Sequence, residues 1–336
     1  MELPDKTEPK QMEGLIYAIL FDGAGGGRDL SLSEIEAWRP EQGFLWLHFQ
    51  MNFDDTKDWI EQKSGLDPVV SGALINEDNH PRIVWEPGVD SLFGTLRGLN
   101  FNRKADLEDM VVVNLYIDSQ RAITTRTARV MTMNTIVRLL KKGVGPQRPA
   151  GFLLAVLERL HDRMEPILEE ISEELDECEE KLTIGETTTD ELREKLIELR
   201  HEIIQLRRYL SPQKNAMTSL GKTATTWISK KRLREIREVE GRLQRFLADL
   251  DSYRERAVVI REEINNQLTE KMNRAMYMVS VVTGIFLPLG FLTGLLGINV
   301  GGMPGVESRW AFWIVCSLLV GCSIFCLWLF RRLKWI

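Results

Sequence analysis

The sequence has 336 residues, enough for two ordinary domains, and its charged fraction of 27% and mean hydropathy of −0.16 are typical of a soluble protein. The charge is unevenly distributed: residues 1–274 carry 48 acidic and 39 basic side chains, and residues 275–336 carry one acidic and four basic side chains. The net charge of −6 therefore divides into −9 and +3. An acidic body excludes recognition of nucleic acid by a basic surface, and the sequence predicts a soluble part joined to an apolar tail.

The N-terminal part alternates strand-like and helix-like segments. Residues 1–10 are polar and include three acidic side chains, so we expect no secretory signal and a cytoplasmic location for this part. Short β-branched or aromatic runs bounded by turn residues predict strands at 15–21, 44–49, 82–85, 91–96, 110–117 and 122–126. Helical spacing predicts helices at 31–39, 56–64 and 68–75. Together they predict an α/β sandwich domain over residues 1–145.

A glycine-rich segment, residues 23–28, follows the first strand, where a dinucleotide-binding fingerprint would stand. The G-x-G-x-x-G spacing requires glycine where Arg28 stands, and no acidic residue follows on a strand at a suitable distance. We therefore predict a flexible loop. The sequence also lacks a nucleophile–base pair or a phosphate loop at useful spacing, so we expect no enzymatic activity and no resident cofactor.

From residue 146 onward the pattern is helical only. Segments 150–182 and 189–220 predict a cytoplasmic helical hairpin within residues 146–227. A third helix is predicted over 228–296, with apolar residues at heptad spacing in its first half and no turn signal before the apolar tail. At 1.5 Å per residue this helix is about 100 Å long and must pack against neighbours or copies of itself.

The tail contains two uncharged runs, residues 275–306 and 310–330, each long enough to span a bilayer. We predict a first transmembrane helix at about 275–296, an external loop at 297–309, a second transmembrane helix at 310–330 and a basic cytoplasmic tail at 331–336. Basic residues flank the two spans on one side, which places both termini in the cytoplasm. The flanking residues are Lys271, Arg274, Arg331, Arg332 and Lys334.

Cysteine usage agrees with that location. Three of the four cysteines, Cys316, Cys322 and Cys326, lie in the second span, and no CxxC pair occurs. We expect neither a disulfide framework nor a thiolate zinc site.

Small and polar residues of the first span fall on one helix face. The members of this polar stripe are Asn273, Met276, Ser280, Thr283, Leu287, Gly290 and Gly294. Facing lipid would be costly for such a stripe, so it faces protein or water. Two interpretations are open from the stripe alone: helix packing through small residues, or the lining of a pore.

The loop after the first span contains Gly297-Ile298-Asn299, followed by Met303-Pro304. Gly-Ile-Asn at the end of the first of two C-terminal spans resembles the Gly-Met-Asn signature of the CorA metal-ion transporter superfamily. It is most similar to the ZntB branch of zinc transporters, in which isoleucine variants of the motif occur. The resemblance covers the whole chain, from the acidic α/β domain and long stalk helix to the two spans and basic tail.

The resemblance implies a funnel-shaped homopentamer in the inner membrane whose pore is lined by the first span. Gly297, Ile298 and Asn299 then form the outer mouth, where five Asn299 carbonyls hydrogen-bond the waters of a hydrated divalent cation. The pore lining becomes Asn273, Met276, Ser280, Thr283, Leu287 and Gly290, with Met276 and Leu287 as hydrophobic constrictions.

Departures from the magnesium-transporter pattern favour zinc as the cargo, with magnesium or cobalt as the alternative. Ile298 replaces methionine, and Gly305 stands where an acidic residue usually follows Met-Pro, which leaves Glu307 as the external acid. His161 and His201 are weaker metal-ligand candidates on the helical hairpin, and the acidic side chains near them predict either a solvated face or a cation sink.

The resemblance also implies proton-linked transport, although the spans contain no carboxylate, lysine or histidine. The titrating group then lies outside them, with Glu307, Glu262, Glu263 or a cytoplasmic histidine as candidates. A hypothesis from another class is a membrane-anchored coiled-coil scaffold or ligand sensor, which needs neither the stripe nor the Gly-Ile-Asn loop.

Overall fold

The computed structural model describes residues 12–77, 80–100, 110–162, 164–184, 189–223, 225–298, 305 and 308–333. The chain divides into two compact units, Met1–Val259 and Ile260–Ile336. The elements of the first unit are, in chain order, β1 (Leu15–Phe21), β2 (Gly27–Asp29), α1 (Leu32–Ala37), a 3₁₀ turn (Pro40–Gln42), β3 (Leu45–Gln50), α2 (Asp54–Asp58) with a π-helical turn (Trp59–Lys63), α3 (Pro68–Ile75), β4 (Arg82–Glu86), β5 (Ser91–Gly98), β6 (Val111–Ile117), β7 (Arg121–Arg126), α4 (Met131–Lys141), α5 (Pro149–His161), α6 (Glu165–Ile184) and α7 (Thr189–Leu220). Helix α8 (Lys230–Leu296) begins in the first unit and ends in the second, which also contains α9 (Ala311–Arg332).

The seven strands in the described part of the chain form one sheet with the order β2-β1-β3-β7-β6-β5-β4. Neighbouring strands are antiparallel except β3 and β7, which run parallel with His48 opposite Thr124 and Gln50 opposite Arg126. Parallel neighbours need a long connection, and here α2, α3 and three strands separate β3 from β7 in the chain. The predicted α/β domain is therefore confirmed as a mixed sheet with helices.

Both faces of the sheet are covered by helices. On one face, Val70 and Leu74 of α3 join Leu47 in a buried apolar cluster. On the other face, the Phe152 ring of α5 lies against Trp46, with 4.9 Å between ring centroids. Burial on both faces explains why β3 and β6 are nearly continuous apolar runs.

The predicted loop at residues 23–28 is a turn in its first part, and its last two residues, Gly27 and Arg28, belong to β2. A side-chain oxygen of Asp22 accepts hydrogen bonds from the backbone N–H groups of Ala24 (2.7 Å) and Gly26 (2.8 Å). Gly25 has φ +111°, and a Cβ at that position would lie 2.7 Å from the Gly143 carbonyl oxygen. Glycine is needed at position 25, because only glycine readily adopts this positive φ and allows so close an approach. The turn leads into β2, which pairs with β1.

Two helix boundaries differ from the sequence predictions, and proline explains both. The predicted helix 150–182 is two helices, because Pro166 cannot donate a backbone hydrogen bond and its ring clashes with the preceding turn. Helix α1 ends at Ala37 rather than at residue 39, because Pro40 holds Arg39 in an extended conformation (φ −130°, ψ 148°). The predictions at 189–220 and 228–296 are confirmed by α7 and, within two residues, by α8.

The heptad residues in the first half of α8 are buried, as the pattern predicts. Ile236, Leu243 and Leu250 are fully buried. Ion pairs connect the same half of α8 to α6 and α7, including Arg256 to Asp176 and Arg207 to Asp251. The apolar stripe and the flanking ion pairs give the first half of α8 packing partners in the first unit. A helix of this length is not stable alone, and these contacts supply neighbours for it.

A turn of the sheet holds the linker that precedes α8. Asp90, between β4 and β5, has φ +53°, and its carboxylate accepts hydrogen bonds from the backbone N–H (2.9 Å) and the hydroxyl of Thr226. Its carbonyl oxygen accepts from Nε1 of Trp227 (2.8 Å). Burial acts to raise the pKa of Asp90, but the hydrogen bonds from Thr226 and Trp85 lower it overall. The ionised carboxylate thus ties the sheet to the start of the stalk.

Replacing Asp90 with alanine removes this tie. We expect amide hydrogen exchange at Thr226 to accelerate about tenfold, equivalent to ~1.4 kcal/mol of local stability, since one charged acceptor is lost. Exchange of peptides covering residues 222–229, followed by mass spectrometry, measures the effect. Asp90→Asn is the matched control, because asparagine tolerates positive φ and its amide oxygen still accepts; equal acceleration in both variants would contradict the role of the charge.

Candidate functional site

The polar stripe of α8 is exposed in the second unit. Each of the six predicted pore-lining residues lies on the open side of the helix: Asn273, Met276, Ser280, Thr283, Leu287 and Gly290. An open groove of about 910 Å³ follows the stripe, and Thr283, Leu287 and Gly290 line it together with Phe286 and Phe291. The uncovered side of α8 therefore carries Thr283 and Gly290 among large apolar side chains.

The opposite face of α8 is covered by α9. The half-buried residues of this stretch of α8 lie about half a turn away from the stripe: Val281, Gly284, Ile285, Pro288, Leu289 and Leu292. Phe330 of α9 packs on Gly284 so closely that a Cβ on Gly284 would lie 2.6 Å from the Cζ atom of the ring. The second span thus covers one side of α8 over residues 281–292, and Thr283, Leu287 and Gly290 lie outside this contact.

The hydroxyl groups of the stripe are bonded to their own helix. Ser280 Oγ donates to the Met276 carbonyl (2.9 Å), and Thr283 Oγ1 donates to the Val279 carbonyl (2.8 Å). Each donation uses the hydroxyl hydrogen and leaves the oxygen lone pairs directed away from the helix axis. The stripe therefore offers neutral acceptor oxygens, which suit the waters around a cation.

Gly284 and Pro288 lie on the side of α8 that contacts α9, and the sequence patterns did not single them out. Pro288 has no N–H, so the carbonyl of Gly284 lacks its usual partner one turn earlier in α8. Phe330 packs at this same turn, and it is the buried residue of α9. The sequence shows a glycine outside the polar stripe and a proline within a span. The packing of α9 explains why a small residue stands at position 284.

The Gly-Ile-Asn motif lies at the end of α8. The Gly297 N–H donates to the Thr293 carbonyl (2.9 Å), and a Cβ on Gly297 would approach that oxygen to 3.1 Å. Ile298 is 48% exposed. Asn299 and Glu307, predicted as the outer ring and the external acid, lie outside the described residues. Glycine at 297 is therefore explained by a close backbone approach.

The two histidine candidates have different environments. His161 is fully buried on α5, and its Nε2 accepts a hydrogen bond from Nε2 of Gln213 (3.0 Å), whose Oε1 accepts from the Arg97 N–H (2.7 Å). Burial lowers the pKa of His161 to about 4, so the ring is neutral at pH 7. His201 is exposed on α7. No group of three or more His, Cys, Asp or Glu side chains in the described ranges forms a metal-binding cluster.

Four of the nine carboxylates of helix α6 form ion pairs. Glu174 pairs with Lys195 (2.7 Å) and Glu177 with Lys181 (2.6 Å). Arg256 of α8 contacts Glu179 as well as Asp176. Both interpretations of this segment, a solvated face and a cation sink, stay open.

Two helices, α8 and α9, are long and apolar enough to cross a membrane by length and composition. The fold thus defines a membrane protein in which an α/β and helical unit precedes two apolar helices. The chain belongs to the CorA-like family: the model described as "CorA-like Mg2+ transporter protein" matches residues 41–332.

Relatives of known name match nearly the whole chain. The divalent cation transporter CmaX of Pseudomonas aeruginosa is 35% identical over 325 residues, 96% of this chain and 97% of the relative. The zinc transport protein ZntB of Yersinia pestis is 30% identical over 327 residues, 97% of each chain. Both names describe transport.

Solved structures agree with the fold. The structure of full-length CmaX matches with a TM-score of 0.84 at 33% identity, covering 98% of this chain and 100% of that one. The CorA magnesium transporter of Methanocaldococcus jannaschii matches with a TM-score of 0.80 at 20% identity, covering 96% and 99%. The second likeness concerns the fold alone.

The contact between Gly284 and Phe330 gives a prediction for the spans. Gly284→Val inserts side-chain atoms where the Phe330 ring lies, so we expect a loss of about 1–3 kcal/mol and a lower unfolding temperature of the full chain in detergent. Circular dichroism at 222 nm measures it. Adding Phe330→Ala restores room and recovers part of the loss.

Gly321→Val in α9 is the matched control, because no atom lies within 4 Å of a Cβ at that position. An equal loss in both glycine variants would mean that the cost arises from helix propensity and not from the α8–α9 contact.

Proposed function

We propose that the protein is a divalent cation transporter of the inner membrane in which five copies surround a pore lined by the polar stripe of α8. The observation that carries this proposal is the asymmetry of the first span. Over residues 281–292 the side of α8 that contains Gly284 packs on α9, whereas the stripe residues Thr283, Leu287 and Gly290 have no cover in the described part of the chain. In a bilayer such a stripe is stable against water or against other copies of the helix.

The chemistry of the stripe suits a hydrated cation. Ser280 and Thr283 present neutral oxygens, and neither span contains a charged side chain that would bind a divalent ion too tightly for it to leave. Met276 and Leu287 lie on the same face one turn from these hydroxyls and act as hydrophobic constrictions. Asn299 completes the pathway as the outer ring, a role that rests on the family resemblance.

Zinc is the cargo that we propose. Ile298 and Gly305 depart from the magnesium pattern, and a relative at 30% identity bears the name of a zinc transport protein. The CmaX relative is named only for divalent cations, so magnesium or cobalt is the second candidate. Small divalent ions dehydrate reluctantly, which favours passage of the hydrated ion past neutral oxygens.

The basic residues that flank the spans support a cytoplasmic location for both termini. Lys271 and Arg274 are exposed in α8, and Arg331 and Arg332 are in the last turn of α9. The guanidinium of Arg332 lies over the Trp328 ring, 5.3 Å from its centroid, an arrangement suited to a membrane interface.

Metal flux into liposomes that contain the purified full chain tests the pore. Ser280→Ala combined with Thr283→Val removes the hydroxyl oxygens from the stripe, and we expect zinc flux to fall about tenfold, ~1.4 kcal/mol on the barrier. Asn299→Ala is expected to reduce it in the same way.

Thr293→Val is the matched control for the hydroxyl variants. Thr293 makes the same helical back-bond, to the Leu289 carbonyl (3.0 Å), but it lines a crevice toward α9 with Leu319 and Ser323. Flux equal to that of empty vesicles in the native chain would favour the membrane-anchored scaffold or sensor over the transporter. An equal loss of flux in the control would contradict the assignment of the Ser280 and Thr283 hydroxyls to the pore lining.

Proton coupling is tested by imposing a pH gradient of either sign in the same assay. If zinc movement is proton-linked, its initial rate differs between the two gradients, and Glu307→Gln or the pair Glu262→Gln and Glu263→Gln reduces that difference. Glu270→Gln, a carboxylate on the same helix outside this set, is the control. Identical rates under both gradients contradict coupling.

A further inference from the structure

Three side chains near the end of α9 contact one another in a row. Phe325, Trp328 and Arg332 stand at i, i+3 and i+7, so they share one face of the helix. The Phe325 and Trp328 rings are stacked, with 5.9 Å between centroids and 30° between planes. The Arg332 guanidinium lies over the Trp328 ring, 5.3 Å from its centroid. This row, the α9 ladder, joins about 10 Å of aromatic surface to a cation.

The α9 ladder faces away from α8. Phe330 marks the side of α9 that contacts α8, and Leu319 and Ser323 on the same side line a crevice with residues of α8. At 3.6 residues per turn, the ladder lies about half a turn from these three residues. Its two rings are 57% and 50% exposed, and Arg332 is exposed as well. In a bilayer, this face therefore lies outside the contact between the two spans.

The positive charge at the end of α9 is not compensated by a carboxylate. Arg331 and Arg332 are both exposed in the last turn of the helix. Among the ion pairs of the described residues, none involves either arginine. From Lys271 to Ile336 the sequence has one acidic side chain, Glu307, which precedes the opposite end of α9. A negative partner for the two arginines therefore comes from outside this unit.

The order of groups along the α9 ladder suits a phospholipid. A guanidinium donates directed hydrogen bonds to phosphate oxygens, and aromatic rings at a membrane interface lie beside the upper part of the acyl chains. A free anion would make no use of the aromatic surface. The spans of a second copy contain no carboxylate, so a contact between copies at this face would bury the charge of Arg332 without an acidic partner from the spans.

We propose that the α9 ladder and Arg331 form a binding site for an anionic phospholipid. The phosphate lies at the guanidinium groups of Arg331 and Arg332, and an acyl chain lies along Trp328 and Phe325. A headgroup with net negative charge is preferred over a zwitterionic one, because the zwitterion brings a cation of its own close to the arginines. The inference requires that α9 spans the membrane, and it depends neither on the proposed pore nor on its cargo.

Native mass spectrometry of the full chain tests the site. The protein is released from detergent micelles that contain phosphatidylglycerol and phosphatidylcholine in equal amounts and with identical acyl chains. We expect the native chain to retain phosphatidylglycerol in preference to phosphatidylcholine by at least about tenfold, and Arg332→Gln to reduce this preference about fivefold, because one cation at the membrane surface is lost. Arg309→Gln, the matched control, removes an exposed cation just before the opposite end of α9 and is expected to change the preference less than about twofold.

Trp328→Leu is a second variant, which keeps an apolar side chain but removes the ring under the guanidinium. We expect it to lower the preference about threefold, and circular dichroism at 222 nm reports whether each variant is folded.

Three outcomes would overturn the proposal. The first is equal retention of the two lipids by the native chain, and the second is an equal loss of preference in Arg332→Gln and Arg309→Gln, which indicates general attraction to a charged surface. The third is an unchanged lipid preference in Trp328→Leu together with a smaller oligomer mass, which assigns this face to a contact between copies.

Discussion

A polar group that faces hydrocarbon finds no partner, and this constraint governs the first span. Helix α9 packs on one side of α8, through the contact of Phe330 with Gly284. The stripe with Ser280 and Thr283 stays outside that contact, and its hydroxyls are satisfied by helix carbonyls. One side of α8 therefore packs against α9, and the stripe on the other side is left for water or for other copies of the helix.

In the first unit, charged and polar side chains are stabilised by ion pairs and hydrogen bonds. Carboxylates of α6 are neutralised by Lys195, Lys181 and Arg256, and the linker before α8 is held by Asp90. His161 is neutral and paired with Gln213. Inside the sheet, Nδ1 of the buried His48 lies 2.8 Å from the Thr124 hydroxyl oxygen, so this ring is also paired with a neutral partner.

Local sequence patterns predicted much of the fold because their causes are local. Strand β1 and helix α3 have the predicted bounds, since each is an apolar run ended by Gly, Asp or Asn. Strand β2 was missed because its three residues follow glycines and are defined by pairing with β1. Helix α4 was missed although its apolar side is buried, because its polar residues resemble those of a loop. Pro166 by itself predicts the break between α5 and α6.

The sequence by itself determined the two spans, the stripe and the family signature, because hydropathy and helical spacing act within twenty residues. It did not determine which face of α8 is covered, because that depends on where α9, at least fifteen residues further along, returns to pack. The same holds for His48 and Arg126, 78 positions apart, which only the parallel pairing of β3 and β7 brings onto one face. Contacts between distant segments belong to the tertiary structure, since they arise from packing and not from local periodicity.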